Sequence, residues 1–179
     1  MNRFALFFLL IALAYPTQSQ DPLGKIPKGS DATVIIFLAV DCPISQKYIP
    51  TINNIYEKYS GAGVGIHAVI PGRTRKKDLK IFKEEYGILF SIFPDRTYEF
   101  VRAVSAEATP EVFVFDNRGA IRYRGAIDNW FYELGGYRKE ATEDYLIEAV
   151  DALLHGGSPA IAKTKALGCT IQIPMRQGN

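Results

Sequence analysis

The apolar positions of this chain change their spacing several times, and each change predicts a new secondary-structure element. Residues 34–40 form a continuous apolar run without helical spacing, which is typical of a strand buried on both faces. After a break at residues 41–43, apolar side chains recur at helical intervals over residues 45–59. The same signals predict further strands at 64–70, at 88–93, after Pro110 and at 120–127, and further helices at 74–86, 97–104 and 142–155.

The order of these elements, β-α-β-α-β-α-β-β-α, predicts an α/β fold. Strands that alternate with helices favour a central, mostly parallel sheet flanked by helices. Asp116-Asn117-Arg118-Gly119 is typical of a hairpin turn, which adds an antiparallel strand and makes the sheet mixed. The sequence has no internal repeat and no sign of a second domain.

Composition and charge narrow the class of protein. The 179 residues are 47% hydrophobic and 22% charged, which suits one globular domain with an ample core. The formal net charge is only +2, whereas nucleic-acid-binding proteins carry a strongly basic surface. We therefore expect no nucleic-acid partner.

The N-terminal residues predict export. Arg3 supplies a positive start, residues 4–14 are apolar, and small residues precede a cleavage site before Gln20, as in a secretory signal peptide. The apolar run is too short to span a bilayer comfortably, so we expect no membrane anchor after cleavage. The mature protein would be periplasmic or secreted, in an oxidising compartment. The predicted divisions are a signal peptide at 1–19, a linker at 20–30, a domain at 31–157 and a C-terminal tail at 158–179.

Cys42 lies where the first buried strand turns into the first helix, and Pro43 suits the first helical turn. The free N–H groups and the dipole of a helix N-terminus favour a thiolate over a thiol. Because the thiolate is the nucleophile in disulfide exchange and in peroxide reduction, this position makes Cys42 the candidate reactive residue. The alternative is that Cys42 is a small, inert core residue.

The segment around Cys42 resembles the thioredoxin-like superfamily. Cys42-Pro43-Ile44-Ser45 is similar to the C-x-x-C active site, with serine in place of the second cysteine. Pro50 falls close to the proline that kinks the active-site helix of thioredoxins. Within the superfamily, the segment is most similar to peroxiredoxin-like redoxins of the AhpC/TSA group. The resemblance implies a thioredoxin-like fold with a redoxin-type helix-and-strand insertion.

Thr109-Pro110 is a second landmark. A threonine and a proline before an apolar strand resemble the cis-proline that lies against the active-site cysteine in thioredoxin-like proteins. The resemblance implies that Pro110 belongs to the site of Cys42. Ser45 joins this site as a hydroxyl that can donate a hydrogen bond to the Cys42 thiolate and stabilise it.

The second cysteine, Cys169, has three open roles. It is a resolving cysteine for Cys42, the partner in a permanent structural disulfide, or a bystander to a monothiol site. The first and third roles belong to a thiol-disulfide oxidoreductase, whose partners would be protein thiols and disulfides.

Peroxide reduction and copper binding are further possibilities. Peroxidatic sites resemble P-x-x-x-T-x-x-C, but Ile35 and Ala39 occupy the proline and threonine positions here, which disfavours small peroxides as substrates. A non-enzymatic copper- or partner-binding module would use the two cysteines with His67 or His155 as ligands. Exported thioredoxin-fold copper chaperones carry C-x-x-x-C, which this sequence lacks. We expect no metal and no other cofactor.

Overall fold

A five-stranded sheet forms the centre of the computed structural model, which describes residue 24 and residues 26–174. The elements are, in chain order, β1 (Ala32–Phe37), α1 (Pro43–Tyr59), β2 (Val64–Pro71), α2 (Lys76–Glu85), β3 (Ser91–Asp95), α3 (Glu99–Val104), β4 (Ala108–Thr109), β5 (Glu111–Asp116), β6 (Ile121–Gly125), β7 (Phe131–Glu133), β8 (Gly136–Tyr137), α4 (Tyr145–Leu154) and β9 (Cys169–Thr170).

The central sheet is mixed, with the strand order β3-β2-β1-β5-β6. β1 pairs in parallel with β2, and β2 pairs in parallel with β3. β5 runs antiparallel to both of its neighbours, β1 and β6. The predicted α/β fold with a mixed sheet between helices is confirmed. Two of its four strand pairings are parallel and two are antiparallel, and β5 is the one strand of this sheet that runs against the other four.

The direction of β5 follows from the end of the sheet at which the chain re-enters it. The chain leaves β3 at Asp95, and the helix α3 has only six residues, a length of about 9 Å. A parallel strand would need a crossover long enough to return the chain to the opposite end of the sheet. β5 instead begins at Glu111, opposite the last residue of β1, Phe37. The chain therefore re-enters the sheet at the end where it left.

Helices cover both faces of the sheet, which explains the continuous apolar run in its central strand. Val34 and Ile36 of β1 face a core that includes side chains of α1 and α4. Ile35 and Phe37 face a smaller core with side chains of α3. The helix α2 and the edge strand β3 lie between β2 and α3 and form the helix-and-strand insertion that the resemblance implied.

The segments on either side of the predicted domain pack against it. Ile26, in the predicted linker, is buried in the smaller core. In the tail, Lys163 bridges to the end of β6 and residues 169–170 pair with β4. The signal peptide predicted at 1–19 lies outside the described residues. Across residues 24 and 26–174, no helix combines the length and the apolar character that crossing a membrane requires.

Candidate active site

Cys42 occupies the N-terminal end of α1, as its place in the sequence predicted. It is the N-cap residue with an extended backbone, and Pro43 follows in the first turn. The Cys42 carbonyl oxygen accepts a helical hydrogen bond from the Gln46 N–H at 3.0 Å. Cys42 is only 1% exposed, so its sulfur is shielded from external reactants in this state.

A disulfide bond joins Cys42 to Cys169, which lies 127 residues further along the chain. The two Cα atoms are 6.1 Å apart, an ordinary separation for bridged cysteines. Cys169 is exposed, in contrast to its buried partner. The bond is compatible with the resolving role and with the structural role of Cys169, and not with that of a bystander.

The peptide bond between Thr109 and Pro110 is cis, as the resemblance implied. The Thr109 carbonyl oxygen lies 3.1 Å from the sulfur of Cys42. A disulfide sulfur carries no proton, so this contact becomes a hydrogen bond only after reduction, when the Cys42 thiol can donate to it. Such a bond favours the thiol and opposes the influence of the helix N-terminus, which favours the thiolate.

The Cys169 segment lies along β4 as an added strand. Cys169 pairs antiparallel with Thr109, and the Ile171 N–H donates to the Glu107 carbonyl at 2.9 Å. Gly168 permits this close approach, because a Cβ at that position would overlap the Thr109 carbonyl group. Backbone pairing therefore holds Cys169 in register beside the N-terminus of α1.

Ser45 is fully buried in the first turn of α1. Its hydroxyl oxygen accepts a hydrogen bond from the Ala39 N–H at 3.3 Å. This partner fixes the loop that leads into the helix, and it leaves the hydroxyl proton of Ser45 available for donation. The role predicted for Ser45 as a stabiliser of the Cys42 thiolate stays a prediction.

An ion pair between a buried carboxylate and a partly exposed guanidinium braces β4, and the sequence analysis missed it. Glu111 is 3% exposed, and its carboxylate accepts hydrogen bonds from the Arg124 guanidinium at 2.8 Å and from the N–H groups of Glu107 and Ala108 at 2.6 and 3.2 Å. The pair therefore fixes the backbone just before Pro110. The sequence did contain a signal for this ion pair, a glutamate at the start of an apolar strand. A charge buried at such a position requires a partner.

A second buried acid, Asp128, lies near Pro110. The Tyr48 hydroxyl donates to Asp128 Oδ1 at 2.5 Å, and Asp128 also accepts from the Trp130 N–H at 2.8 Å. Burial raises the pKa of Asp128 and that of Tyr48. Both residues line a small cavity with Pro110 and Leu167, which precedes Cys169 in the tail. Sequence reasoning missed this pair, because its members are 80 residues apart.

The ligand set of the copper alternative is not assembled in the part of the chain that the structure describes. No group of three histidine, cysteine or acidic residues is placed there to hold a metal ion. His67 Nε2 is 2.8 Å from the Pro27 carbonyl, and burial lowers the pKa of this imidazole. His155 Nδ1 is 2.7 Å from the carbonyl of Asp151, within its own helix end.

Comparison with known proteins gives one family. The model of the AhpC/TSA family matches residues 19–124. The thiol-disulfide oxidoreductase ResA of Geobacillus thermodenitrificans is 30% identical over 81 residues, which are 45% of this chain and 46% of that protein. The chain thus matches about half the length of this curated relative.

Solved structures agree on the fold. A hypothetical protein of Sinorhizobium meliloti 1021 superposes with a TM-score of 0.73 at 23% identity, covering 82% of each chain. The oxidised form of a thioredoxin-like protein superposes with a TM-score of 0.55 at 21% identity, covering 73% of this chain and 82% of the other. Together with the family match, they confirm the thioredoxin-like redoxin fold that the Cys42 segment predicted.

Proposed function

Because the chain belongs to the AhpC/TSA family, we propose that it is an exported thiol-disulfide oxidoreductase in which Cys42 is the nucleophile and Cys169 the resolving cysteine. The observation that carries the proposal is the disulfide between a helix N-terminus and a segment paired with β4 beside Pro110. The name of the Geobacillus relative supports the same reaction class. Export rests on the signal peptide predicted at 1–19, and a disulfide suits an oxidising compartment.

The proposed reaction is an exchange of disulfides in two steps. The Cys42 thiolate attacks a disulfide of a client protein, a mixed disulfide forms, and one client thiolate leaves. The Cys169 thiolate then attacks the Cys42 sulfur, which releases the second client thiolate and forms the Cys42–Cys169 bond. The client thiolates take protons from solvent, and two electrons have passed to the client. A dithiol donor restores the reduced protein by the same chemistry.

Small peroxides are the weaker candidates as substrates. Ala39 cannot offer the hydroxyl that would orient a peroxide. Client disulfides need no such hydroxyl, and the edge of β4 beside Cys42 accommodates an extended segment, as the tail demonstrates. Disulfide exchange therefore fits the site better than peroxide reduction.

A permanent structural disulfide is the competing role for the same bond. The bridge encloses nearly the whole domain, and closing a loop of this length stabilises a fold by about 4–5 kcal/mol in the chain-entropy model. The two roles differ in how easily the bond is reduced. Structural bridges have potentials below about −300 mV, whereas exchange-active ones are less negative.

The first test is a redox titration with mass mapping of the thiols, on protein made without residues 1–19. We expect reversible reduction of the Cys42–Cys169 bond with a potential above about −250 mV. A reduction potential below about −300 mV would contradict the enzymatic role and make the bridge structural.

Single serine variants assign the two cysteines. Cys169→Ser should accumulate a mixed disulfide with glutathione at Cys42, because the resolving thiol is missing. Cys42→Ser should leave no thiol at the helix N-terminus and form no such adduct there. Equal trapping by both variants would contradict a division into nucleophile and resolving cysteine.

A further inference from the structure

The tail is attached to the end of β6 through Thr164, five residues before Cys169. The Thr164 N–H donates to the Arg124 carbonyl at 3.0 Å, and the Arg124 N–H donates to the Ala162 carbonyl at 3.1 Å. Two backbone hydrogen bonds on one residue of β6 thus hold this part of the tail, independently of the disulfide.

The Thr164 side chain adds a closed set of hydrogen bonds. Its hydroxyl oxygen accepts from the Ala126 N–H at 2.9 Å and is 2.7 Å from the Tyr123 hydroxyl. The Tyr123 hydroxyl in turn donates to the Ala126 carbonyl at 2.6 Å, so the Thr164 hydroxyl donates its proton to Tyr123. Every donor in this set has an acceptor, which makes it a specific attachment.

Gly125 makes room for this attachment. A Cβ at position 125 would overlap both the hydroxyl and the carbonyl group of Thr164. Gly125 also has a φ of +138°, which L side chains rarely adopt. The end of β6 is therefore shaped to receive Thr164.

Beyond Thr164, the tail is held to the rest of the protein more loosely. Residues 165–171 reach β4, where the two-residue strand β9 pairs with it and the disulfide closes over Cys42. A groove of about 810 Å³ runs beside residues 163–168 and leaves space around them. We call residues 165–171 the arm.

The arm has to leave β4 before Cys42 can react. Cys42 is 1% exposed when the disulfide is formed, so a client cannot reach its sulfur in that state. Once the bond is reduced, the short β4–β9 pairing, two hydrogen bonds beside it and the contacts of Leu167 and Ile171 keep the arm in place. The two hydrogen bonds run from the Ile171 N–H to the Glu107 carbonyl and from the Thr109 hydroxyl to the Cys169 carbonyl. Cys169, five residues beyond Thr164, can move at most roughly 17 Å from the attachment.

We propose that Thr164 is a positioning residue that keeps the tail attached in both redox states, so that the arm alone moves away from Cys42 and back. This inference rests on the proposed function and concerns the second step of the proposed reaction, in which the Cys169 thiolate attacks the Cys42 sulfur. A thiol on a short tether has an effective concentration in the millimolar range, so Cys169 would resolve the mixed disulfide faster than external thiols do.

Kinetics of oxidation by glutathione disulfide test the proposal. Glutathione first forms a mixed disulfide with Cys42; the Cys169 thiolate then attacks the Cys42 sulfur and releases glutathione as the thiolate, which takes up a proton. Thr164→Val removes the hydroxyl and should slow this ring closure about tenfold, with the first step no slower than in the unaltered protein. Thr164→Ser keeps the hydroxyl and should restore the rate.

Ser158→Ala is the matched control. It removes a different hydrogen bond of the tail, from Arg122 to Ser158, which lies before the attachment point. Its ring-closure rate should equal that of the unaltered protein. An unchanged closure rate in Thr164→Val would overturn the proposal, as would slowing that Thr164→Ser does not restore. Absence of any adduct or closure in the unaltered protein would instead contradict the proposed function.

Amide hydrogen exchange tests the attachment without substitutions. After reduction, the N–H groups of Ala126 and Thr164 should stay protected, since their acceptors lie within the attachment. The Ile171 N–H, bonded to Glu107 across β4, should lose protection. Loss of protection at Ala126 and Thr164, or retained protection at Ile171, would overturn the proposal.

Discussion

At the scale of single residues, Cys42 experiences two opposing influences. The N-terminus of α1 favours its thiolate, while the Thr109 carbonyl at 3.1 Å favours its thiol by accepting a hydrogen bond. Ser45 bears on this balance, because its hydroxyl accepts from Ala39 and still has a proton to donate. Its replacement therefore separates a structural role from an electrostatic one.

Ser45→Ala should have two effects. Loss of the hydroxyl leaves the Ala39 N–H without this partner in a partly buried position, which should lower the free energy of unfolding by about 1 kcal/mol in urea titrations. If Ser45 also donates to the thiolate, the pKa of Cys42 should rise, and alkylation of the reduced protein will shift to higher pH.

Ser60→Ala, at the exposed C-terminal end of the same helix, is the control and should change neither quantity. An unaltered alkylation profile in Ser45→Ala would leave Ser45 with only its structural role.

The residues that could be predicted are those whose signal is local. The strand-to-helix junction places Cys42, and the Thr109-Pro110 pair before an apolar strand places the cis-proline. The partners that close the site come from distant parts of the chain. Nothing in the spacing of Cys42 and Cys169, 127 residues apart, distinguishes a bonded pair from two unrelated thiols.

At the scale of elements, periodicity predicted the long strands and helices and failed for the short ones. β4 and β9 have two residues each, too few to display an alternation, and they exist because each pairs with the other. The direction of β5 could not be predicted from the pattern either, because hydrophobic spacing does not indicate at which end of the sheet the chain re-enters it. These features are the ones that bring the tail to Cys42.

Gly168→Ala tests the short β4–β9 pairing. The added methyl group overlaps the Thr109 carbonyl group, so β9 has to shift away from β4. We expect the disulfide to become easier to reduce, on the order of tenfold in its equilibrium with glutathione. The measurement is the fraction of oxidised protein across a series of glutathione ratios.

Gly61→Ala is the control for this substitution. Among the described residues, nothing lies within 4 Å of a Cβ placed at Gly61, which follows α1 on the surface. Its equilibrium with glutathione should match that of the unaltered protein. An equally small effect of Gly168→Ala would mean that backbone pairing does not support the disulfide.

At the scale of the whole molecule, the disulfide links folding to redox state. The bond stabilises the fold by restricting the unfolded chain, and by the same thermodynamic cycle the fold stabilises the bond. In the chain-entropy model, the stabilisation of the fold by the bond is about 4–5 kcal/mol for a loop of 127 residues. The backbone entropy that the arm gains after reduction, less the contacts that it gives up, offsets part of this stabilisation.

The unfolding of the oxidised and reduced protein therefore reports whether the arm moves. If reduction releases residues 165–171 while the rest of the domain stays folded, the free energy of unfolding should fall by clearly less than about 4–5 kcal/mol. Urea titrations with and without dithiothreitol measure the difference on one sequence, and Cys169→Ser, which lacks the bond throughout, controls for the reductant. A loss of the full amount would show that the reduced tail stays as ordered as the oxidised one, and the bridge would then act as a rigid structural link.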